Sequence, residues 1–348
     1  MKKSYLVSII IVNLNGSGLL KECLMSFKNN TYKNTEIIIV DNGSTDGSLE
    51  ELSKKRYQDL NIRLIRNVKN VGFAEANNQA IPMVNGNLVL LLNNDTIVKP
   101  NFLTVLVEKI RSDRLIGVVQ PKIIFLDNKR LQSGGAFFTT PGFLYYFGYG
   151  QDPEKKIYNK SMPIFSGNGA CLLIRREAIK KVSLFDKDFF AYYEETDFCH
   201  RVWLSGYKVV YEPASVIYHK GGQTSQKMAE SFIFFHSFKN RLASSIKNFE
   251  LPTLARIVLS LVVIYLFLAI IYSIKFKLRL SIAVINALLW NVVNIDNTLK
   301  KRRVIQTKIR AVADKAYLPW ISRKFNLKYY LNMFLNKEVL FENEDYPD

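Results

Sequence analysis

Residues 7–15 read VSIIIVNLN, an apolar run that ends in Asn13 and Asn15. The run Val7–Val12 is rich in β-branched residues, which is typical of a strand buried on both faces of a sheet. Two lysines at positions 2 and 3 precede it, as they would in a signal peptide. The run is too short for a signal peptide, however, and no small-residue cleavage site follows it. We therefore predict a buried first strand and no cleavable signal.

Strand and helix patterns alternate from this run to about residue 220. Further strands are predicted at Ile37–Val40, Ile62–Ile65 and Leu88–Leu92, and helices at 19–27 and Ala74–Ala80. This alternation predicts an α/β fold with a Rossmann-like, mostly parallel sheet covered on both faces. Ligands bind such sheets at the carboxyl ends of the strands. Polar clusters follow three of the predicted strands, at residues 13–15, 41–42 and 93–95.

Length and composition set broad limits on the class of protein. The chain has 348 residues, 48% hydrophobic and 22% charged, which allows about two domains and excludes a wholly disordered chain. Three cysteines cannot form a disulfide framework, so a reducing compartment is expected. The net charge is +18, and residues 239–330 contain 17 Lys and Arg against 3 Asp and Glu. This basic segment would attract nucleic acid or an anionic membrane surface.

The composition changes near residue 235, and we predict a catalytic domain over 1–235 followed by a basic, apolar helical region over 236–348. Residues 257–274 contain no charge and reach the lower limit for a membrane-spanning helix. Residues 280–295 are apolar, but Asn286, Asn291 and Asn294 fall on one side of a helix, which favours an interfacial position.

Basic residues flank both of these apolar segments, so the positive-inside rule gives no orientation for a hairpin. We predict monotopic or re-entrant attachment to the anionic cytoplasmic face of the cell membrane, with one spanning helix at 257–274 as the alternative. A buried helix of a soluble domain, or a dimer interface, would also fit the pattern.

Asp41 directly follows a buried strand, where its carboxylate could bind a nucleobase or a ribose hydroxyl, or could stabilise a turn. Asn93, Asn94 and Asp95 follow Leu88–Leu92 in the same way. A carboxylate at this strand end could hold a hard cation that neutralises a diphosphate, although the same residues form good turns.

Glu194, Glu195 and Asp197 stand just before the predicted helix Phe198–Leu204, after several aromatic residues. Like charges and apolar neighbours raise the proton affinity of a carboxylate, which suits a general base; the alternative is a solvated acidic helix start. His219 precedes two glycines, from which a loop histidine could bind a metal, or it could simply be packed.

Glycines and aromatic residues alternate between about residues 125 and 165. This pattern suits a loop or hairpin that contacts a ligand, and it equally suits a covering flap. We interpret His200 and His236 as structural or surface groups.

Taken in order, these residues resemble a family-2 glycosyltransferase of the inverting, nucleotide-sugar-dependent GT-A type, and most closely its rhamnosyltransferase-like branch. The resemblance covers about residues 4–225. The matching blocks are Val7–Asn15, Val40–Ser48, Asn70–Asn78, Leu92–Asp95, Gly167–Ile174 and Glu194–Asp197. Several ordered blocks make the match specific, although no single block would.

The resemblance implies a set of site residues. The nucleotide would contact Asn13, Asn15, Asp41, Lys69, Ala74, Asn78, Asn93 and Asn94, with Asp41 on the base. Asp95 and His219 would bind a divalent cation, Mg²⁺ or Mn²⁺. Glu195 would be the catalytic base, with Glu194 and Asp197 as alternatives. Asn93 replaces the usual first aspartate of the Asp-x-Asp motif, and Glu195 stands where many relatives have aspartate.

The implied activity is transfer of a sugar from a UDP- or dTDP-linked donor to a glycan, polysaccharide or lipid-linked acceptor, as in synthesis of cell envelope polysaccharides. A catalytically silent scaffold of the same fold is one alternative. A nucleic-acid-binding protein is another, but the basic residues flank apolar runs instead of interleaving with aromatics on a polar face. We therefore expect no nucleic acid partner. Another nucleotide-using enzyme on the same sheet, such as a nucleotidyltransferase or a dehydrogenase, is disfavoured because no G-x-G-x-x-G follows the first strand and no P-loop lysine motif is present.

Overall fold

The computed structural model describes residues 5–127, 129–221 and 228–334. The lysines at positions 2 and 3, Gly222 of the predicted glycine pair and residues 335–348 lie outside the described residues. The strands are β1 (Val7–Asn13), β2 (Thr35–Asp41), β3 (Ile62–Arg66), β4 (Leu88–Leu92), β5 (Thr96–Val98), β6 (Ile116–Phe125), β7 (Leu131–Ser133), β8 (Ala136–Thr139), β9 (Leu144–Tyr146), β10 (Met162–Pro163), β11 (Cys171–Arg175), β12 (Lys208–His219) and β13 (Ser322–Arg323).

Twelve α-helices occur in the described part of the chain. They are α1 (Ser17–Lys28), α2 (Ser48–Leu52), α3 (Phe73–Ala80), α4 (Phe102–Ser112), α5 (Arg176–Val182), α6 (Glu194–Leu204), α7 (Glu230–Asn248), α8 (Leu251–Ile274), α9 (Leu278–Val293), α10 (Ile295–Val304), α11 (Asp314–Ile321) and α12 (Leu327–Phe334). Short 3₁₀ segments occur at Lys55–Tyr57, Ile81–Met83 and Lys156–Asn159, and a π-helical turn follows α10 at Ile305–Ile309.

The main sheet has the strand order β10-β12-β6-β11-β4-β1-β2-β3, with β5 and β7 paired at its side. Strands β4, β1, β2 and β3 are parallel, as are β6 and β12, whereas β11 runs antiparallel between these two groups. A small second sheet has the order β13-β8-β9. The predicted α/β fold with a mostly parallel sheet is confirmed.

Two apolar cores cover the sheet, one on each face. Helices α1 and α4 bury residues such as Leu24 and Leu106 against one face. The other face packs against α3, α5 and α6 and, further out, against the C-terminal helices. The predicted division near residue 235 falls inside α7, and a single apolar cluster includes residues from both sides of it.

Helices α8 and α9 form an antiparallel pair that leaves one apolar face exposed. The exposed side chains are Leu259, Val263, Leu266, Phe267, Ile270, Ile274, Phe276, Leu278, Ile282, Leu289, Val292 and Val293, which we call the apolar face. Among the described residues, α8 is long and apolar enough to span a membrane, whereas α9 qualifies only together with residues 295–309, across a bend of 64°. The other side of α8, including Leu261 and Tyr265, is buried in the protein.

Of the asparagines predicted to form a polar side of this segment, Asn286 is exposed but Asn291 is not. Asn291 is buried, and its amide donates to the carbonyl oxygens of Lys239 and Ala287. The exposed side of α9 is instead mostly apolar. The prediction was wrong for Asn291 because its amide satisfies backbone groups at the contact with α7, which a helical wheel does not reveal.

Candidate active site

One cleft of about 440 Å³ opens at the carboxyl ends of the central strands. This volume is in the range of small-molecule sites. Six of the residues predicted from the sequence line the cleft: Asn93, Asn94, Asp95, Glu194, Glu195 and His219.

Asp95 and His219 are in direct contact within the cleft. Asp95 lies in the turn from β4 to β5, and β5 pairs with the end of β12 so that Thr96 faces His219. As a result, Asp95 Oδ1 lies 2.9 Å from His219 Nε2. Gln132 Oε1 lies 2.8 Å from the other ring nitrogen, Nδ1. Both the amide oxygen and the carboxylate accept hydrogen bonds, and both separations from the imidazole are hydrogen-bond distances.

This pair fits a divalent cation by its chemistry. Carboxylate oxygen and imidazole nitrogen are ligands for Mn²⁺, and carboxylates also bind Mg²⁺. No third His, Cys, Asp or Glu joins Asp95 and His219 in the described parts of the chain. Such a site leaves further ligand positions to water and to phosphate oxygens, as is usual for cations that bind diphosphates. Asn93 contributes only a neutral amide, whose Nδ2 is 3.4 Å from His219 Nε2.

Asp41, Asn13 and Asn15 form a hydrogen-bonded group beside the cleft instead of lining it. Strands β1 and β2 are in register, with Asn13 opposite Asp41, and Asn13 Nδ2 donates to Asp41 Oδ1 over 3.1 Å. Asn13 Oδ1 accepts from Asn94 Nδ2 over 2.7 Å, which links this group to the cleft wall. Ser44 Oγ accepts from both Asn13 Nδ2 and the backbone N–H of Asn15, and Asn15 Oδ1 accepts from the backbone N–H of Thr45. The group therefore fixes the loops that follow β1, β2 and β4 relative to one another.

Lys69, Ala74 and Asn78 do not line the cleft either. Lys69 is exposed, and Ala74 is fully buried in the apolar core. The Asn78 amide pairs with the backbone of Phe185 through two hydrogen bonds of 3.0 Å. Ala74 and Asn78 therefore hold α3 in its position, because the first packs in the apolar core and the second pairs with the backbone of Phe185.

Glu194 and Glu195 begin α6, after two tyrosines in the left-handed backbone region (Tyr192, φ 69°; Tyr193, φ 72°). Burial, and then the charge of Glu195, raise the pKa of Glu194 well above its ordinary value. Burial raises the pKa of Glu195 to about 7, against two backbone hydrogen bonds that lower it. A carboxyl group with a pKa near neutrality can both lose and regain a proton, as a general base must.

The turn at residues 168–170 contacts both halves of the cleft. The carbonyl oxygen of Ala170 accepts from the backbone N–H of Asn93 over 2.9 Å. A Cβ atom on Gly169 would lie 3.9 Å from Cδ of Glu195. This turn therefore connects the Asp95 side of the cleft with the Glu195 side.

Asp197 points away from the cleft into an ion cluster. It is fully buried, 3.0 Å from Arg201 Nε and 3.1 Å from Lys247 Nζ. Although burial opposes the charged form, Lys247 and Arg201 bring the pKa of the Asp197 carboxyl far below its ordinary value. Asp197 therefore has neither the access nor the proton affinity of a base, and the predicted alternative for this residue is not supported.

The sequence reasoning missed Arg241, which reaches the cleft from α7. Its guanidinium lies over the rings of Phe143 (4.4 Å to the centroid) and Tyr193 (5.5 Å). Although burial opposes its charge, the hydroxyls of Tyr265, Tyr193 and Tyr146 leave the pKa of Arg241 above its ordinary value. The only signal in the sequence was a charged residue within the partly apolar segment 231–246, which does not indicate a site.

The glycine-rich aromatic stretch forms β7, β8 and β9 with their connections, and it serves as part of the cleft wall. Ser133, Leu144 and Tyr146 line the cleft, whereas Phe143 packs against Tyr265 of α8 and Tyr330 of α12. This stretch therefore faces the cleft on one side and the C-terminal helices on the other, and contact with a ligand stays a prediction.

Comparison with known proteins agrees with this geometry. The family model described as Glycosyl transferase family 2 matches residues 8–183. Glycosyltransferase GlyG of Streptococcus pneumoniae is 27% identical over 217 residues, which are 60% of this chain and 68% of that protein. The N-acetylglucosaminyl-diphospho-decaprenol L-rhamnosyltransferase of Mycobacterium tuberculosis is 25% identical over 255 residues, which are 66% of this chain and 80% of that enzyme.

Two solved structures have the same fold at low sequence identity. S. aureus TarS in complex with UDP-GlcNAc superposes with a TM-score of 0.58 at 17% identity, over 87% of this chain and 88% of that one. The mannosyltransferase PcManGT from Pyrobaculum calidifontis, in complex with GDP-Man and Mn²⁺, gives 0.55 at 17% identity, over 97% and 89%. These likenesses confirm the predicted GT-A fold.

Proposed function

Because the chain belongs to glycosyl transferase family 2, we propose that it is an inverting enzyme that uses a nucleotide-diphosphate sugar, UDP- or dTDP-linked. It moves the sugar to a hydroxyl group of a glycan, polysaccharide or lipid-linked acceptor at the cytoplasmic face of the membrane. The observation that carries the proposal is that Asp95, His219 and Glu195 line one cleft at the strand ends.

The donor end of the cleft is the side of Asn93, Asn94, Asp95 and His219. Asn13, Asn15 and Asp41 lie directly behind Asn94 in one hydrogen-bonded network, in which Ser44 joins Asn15 to Asn13. Binding of the nucleoside beside this network would let Asp41 contact the base. Ligands bind at this edge of open α/β sheets in general, and TarS, which has the same fold, was solved with UDP-GlcNAc.

Glu195 acts as the catalytic base. Its carboxylate accepts the proton of the acceptor hydroxyl, and the hydroxyl oxygen forms a bond to the anomeric carbon. The bond from that carbon to the diphosphate breaks on the opposite face, and its electron pair leaves with the diphosphate oxygen. The buried surroundings of Glu195, which raise its pKa to about 7, match its proton affinity to this transfer. Glu194, which also lines the cleft, is the alternative base.

Asp95 and His219 would hold Mg²⁺ or Mn²⁺, which when bound would neutralise charge on the diphosphate. Gln132 keeps the imidazole in the orientation that directs Nε2 toward Asp95. PcManGT, which shares the fold, was solved with Mn²⁺.

Attachment to the membrane is supported by the apolar face of α8 and α9. Lys275 and Lys277 are exposed in the turn between these helices, next to the exposed Phe276, and Arg279 is exposed at the start of α9. An apolar surface bordered by basic residues binds at an anionic membrane surface. The inner side of α8 is buried in the protein, which favours an in-plane position over a free spanning helix.

Donor binding is the direct test of this function. We would measure the melting temperature with UDP, dTDP and GDP and their sugars, with Mn²⁺ or Mg²⁺, because a ligand of the native state raises it. Release of sugar from the bound donor, at the slow rate of transfer to water, would then exclude a silent scaffold. A protein that neither gains stability with any nucleotide nor cleaves any donor would contradict the proposal.

A further inference from the structure

The guanidinium group of Arg241 is a buried cation that no acidic side chain of the described residues pairs with. The side chain is 92% buried, since only 8% of its surface is exposed, yet it lines the cleft. Its Nε has no hydrogen-bond partner in the described ranges 5–127, 129–221 and 228–334. Among the residues that the structure describes, no Asp or Glu lies within ion-pair distance of it. Its close neighbours are the aromatic rings of Phe143, Tyr193 and Phe238.

Other buried cations of the protein are paired. Arg201 and Lys247 contact Asp197, and Arg310 contacts Asp314 over 2.9 Å. Lys122 and Lys239 donate to backbone carbonyl oxygens over 2.9 Å. Removing a cation from water without such a partner is strongly unfavourable. Among the described residues, the charge of Arg241 therefore meets aromatic rings and a tyrosine hydroxyl but no anion, and an anion bound in the cleft would stabilise it.

A phosphate group matches this cation better than other ligands of the proposed reaction. The planar guanidinium forms paired hydrogen bonds with phosphate oxygens, and sugars carry no such charge. The aromatic walls around Arg241 lower the local dielectric constant, which strengthens the attraction.

The position of Arg241 indicates which substrate brings the phosphate. The guanidinium of Arg241 lies 5.5 Å from the ring centroid of Tyr193, and Tyr193 directly precedes Glu194 and Glu195 at the start of α6, so the arginine belongs to the side of the cleft where the base lies. In an inverting displacement the attacking hydroxyl approaches from the side of the base, opposite to the leaving diphosphate. None of the contacts described for Arg241 involves Asp95 or His219, where the donor diphosphate would bind.

We propose that Arg241 binds a phosphate group of a lipid-linked acceptor, an inference that rests on the proposed function. Arg241 is on α7, and the hydroxyl of Tyr265, on α8, contacts its guanidinium. Helix α8 also carries much of the apolar face, so a lipid chain attached to that phosphate would have a short path to the membrane surface. The C-terminal helices thus complete the acceptor site as well as attaching the enzyme.

The test uses farnesyl diphosphate and farnesol as a matched pair of probes, with and without the charged group. Binding to the chain of residues 1–348 is measured by calorimetry while Mn²⁺ and the nucleotide with the largest thermal shift saturate the donor site. The native protein should bind farnesyl diphosphate and discriminate against farnesol. R241Q should weaken binding of the diphosphate about 10- to 150-fold, the usual value of a hydrogen bond to a charged group, and should change nucleotide affinity less than about twofold.

Two further variants keep the result interpretable. R241K retains a charge of similar volume but not the paired donors, so it should fold and show an intermediate loss of diphosphate binding. R256Q removes an exposed arginine of α8 and should have no effect.

Unchanged diphosphate binding in both R241Q and R241K, or in R241K alone if R241Q does not fold, would overturn the proposal. So would a parallel loss of nucleotide affinity, which would assign Arg241 to the donor. A native protein that binds no nucleotide would instead refute the proposed function, and this proposal with it.

Discussion

Asp95 Oδ1 lies 2.9 Å from His219 Nε2, and this contact depends on a residue that the sequence did not single out. Gln132 Oε1 holds Nδ1 of the same imidazole at 2.8 Å. Residues that orient metal-binding histidines in this way affect metal affinity almost as strongly as the ligands do. Gln132 comes from β7, which pairs with β6 beside the end of β12. The position of the ring is therefore set by three strands together.

We predict that Gln132→Leu weakens binding of Mn²⁺ about 10- to 100-fold, the usual effect of losing such an orienting contact. Electron paramagnetic resonance of free Mn²⁺, measured with saturating nucleotide, gives the affinity directly. Gln58→Leu, at an exposed position outside the cleft, is the matched control. Equal Mn²⁺ affinity in the two variants would mean that His219 is not a ligand or needs no orientation.

The catalytic base is tested by two isosteric substitutions. Glu195→Gln should lower kcat about 10²- to 10⁴-fold, the usual contribution of a general base, while leaving nucleotide affinity and the circular dichroism spectrum unchanged. Glu194→Gln should lower kcat much less. If the larger loss occurs in Glu194→Gln, the role belongs to that residue, and near-normal rates in both variants would refute the proposed base.

The raised pKa of Glu195 gives two dependences on pH. Because the base must be deprotonated, kcat should rise with pH through about 7. Stability should change in the opposite direction. The carboxyl has a higher pKa in the folded state, near 7, than its ordinary value of 4.5, so the folded state holds the proton more tightly. Its contribution to stability is complete below pH 4.5 and is lost as the pH rises toward 7.

Urea unfolding between pH 5 and 8 would measure this slope, and Glu195→Gln should flatten it. A slope that is unchanged in the variant would show that other groups cause the dependence on pH.

The ion cluster behind α6 should be important for stability. Asp197 and Lys247 are both almost completely buried and lie 3.1 Å apart. Lys247→Met leaves the carboxylate with less compensation, so we expect a loss of about 3–5 kcal/mol in the free energy of unfolding. Lys208→Met, which breaks a half-exposed pair with Asp113, should cost no more than about 1 kcal/mol. Equal losses in the two variants, measured in urea, would contradict this interpretation.

The sheet and the cleft residues at positions 93–95, 194–195 and 219 could be predicted from the sequence for a simple physical reason. Buried strands such as Leu88–Leu92 are continuous apolar runs, and the polar residues that follow them must lie at strand ends. Asp95 and His219 could be placed in this way because each lies at or just beyond the end of a strand. Glu194 and Glu195 were found because adjacent carboxylates after aromatic residues are unusual.

The positions of Asp197 and Arg241 could not be predicted, because they depend on packing between distant parts of the chain. Asp197 resembles its neighbours in sequence, but a lysine 50 positions later pairs with it inside the protein. Arg241 faces the cleft only because α7 packs beside the hairpin of β8 and β9, which brings Phe143 under its guanidinium. Local spacing carries no information about either contact.

Membrane attachment can be tested on the apolar face without removing any helix. The exposed side chains of Leu259 and Phe267 would enter the lipid, and burying one large apolar side chain contributes about 1.5–3 kcal/mol. The double variant Leu259→Ser, Phe267→Ser should therefore bind vesicles of phosphatidylcholine and phosphatidylglycerol at least about tenfold more weakly in a sedimentation assay.

The control is the double variant Leu115→Ser, Leu126→Ser, which removes two exposed leucines far along the chain from α8 and should leave vesicle binding unchanged. Because the substituted side chains point away from the core, nucleotide affinity should be equal in all these proteins. If both double variants sediment like the native protein, the apolar face does not contact lipid, and a second copy of the chain becomes the better candidate to cover it.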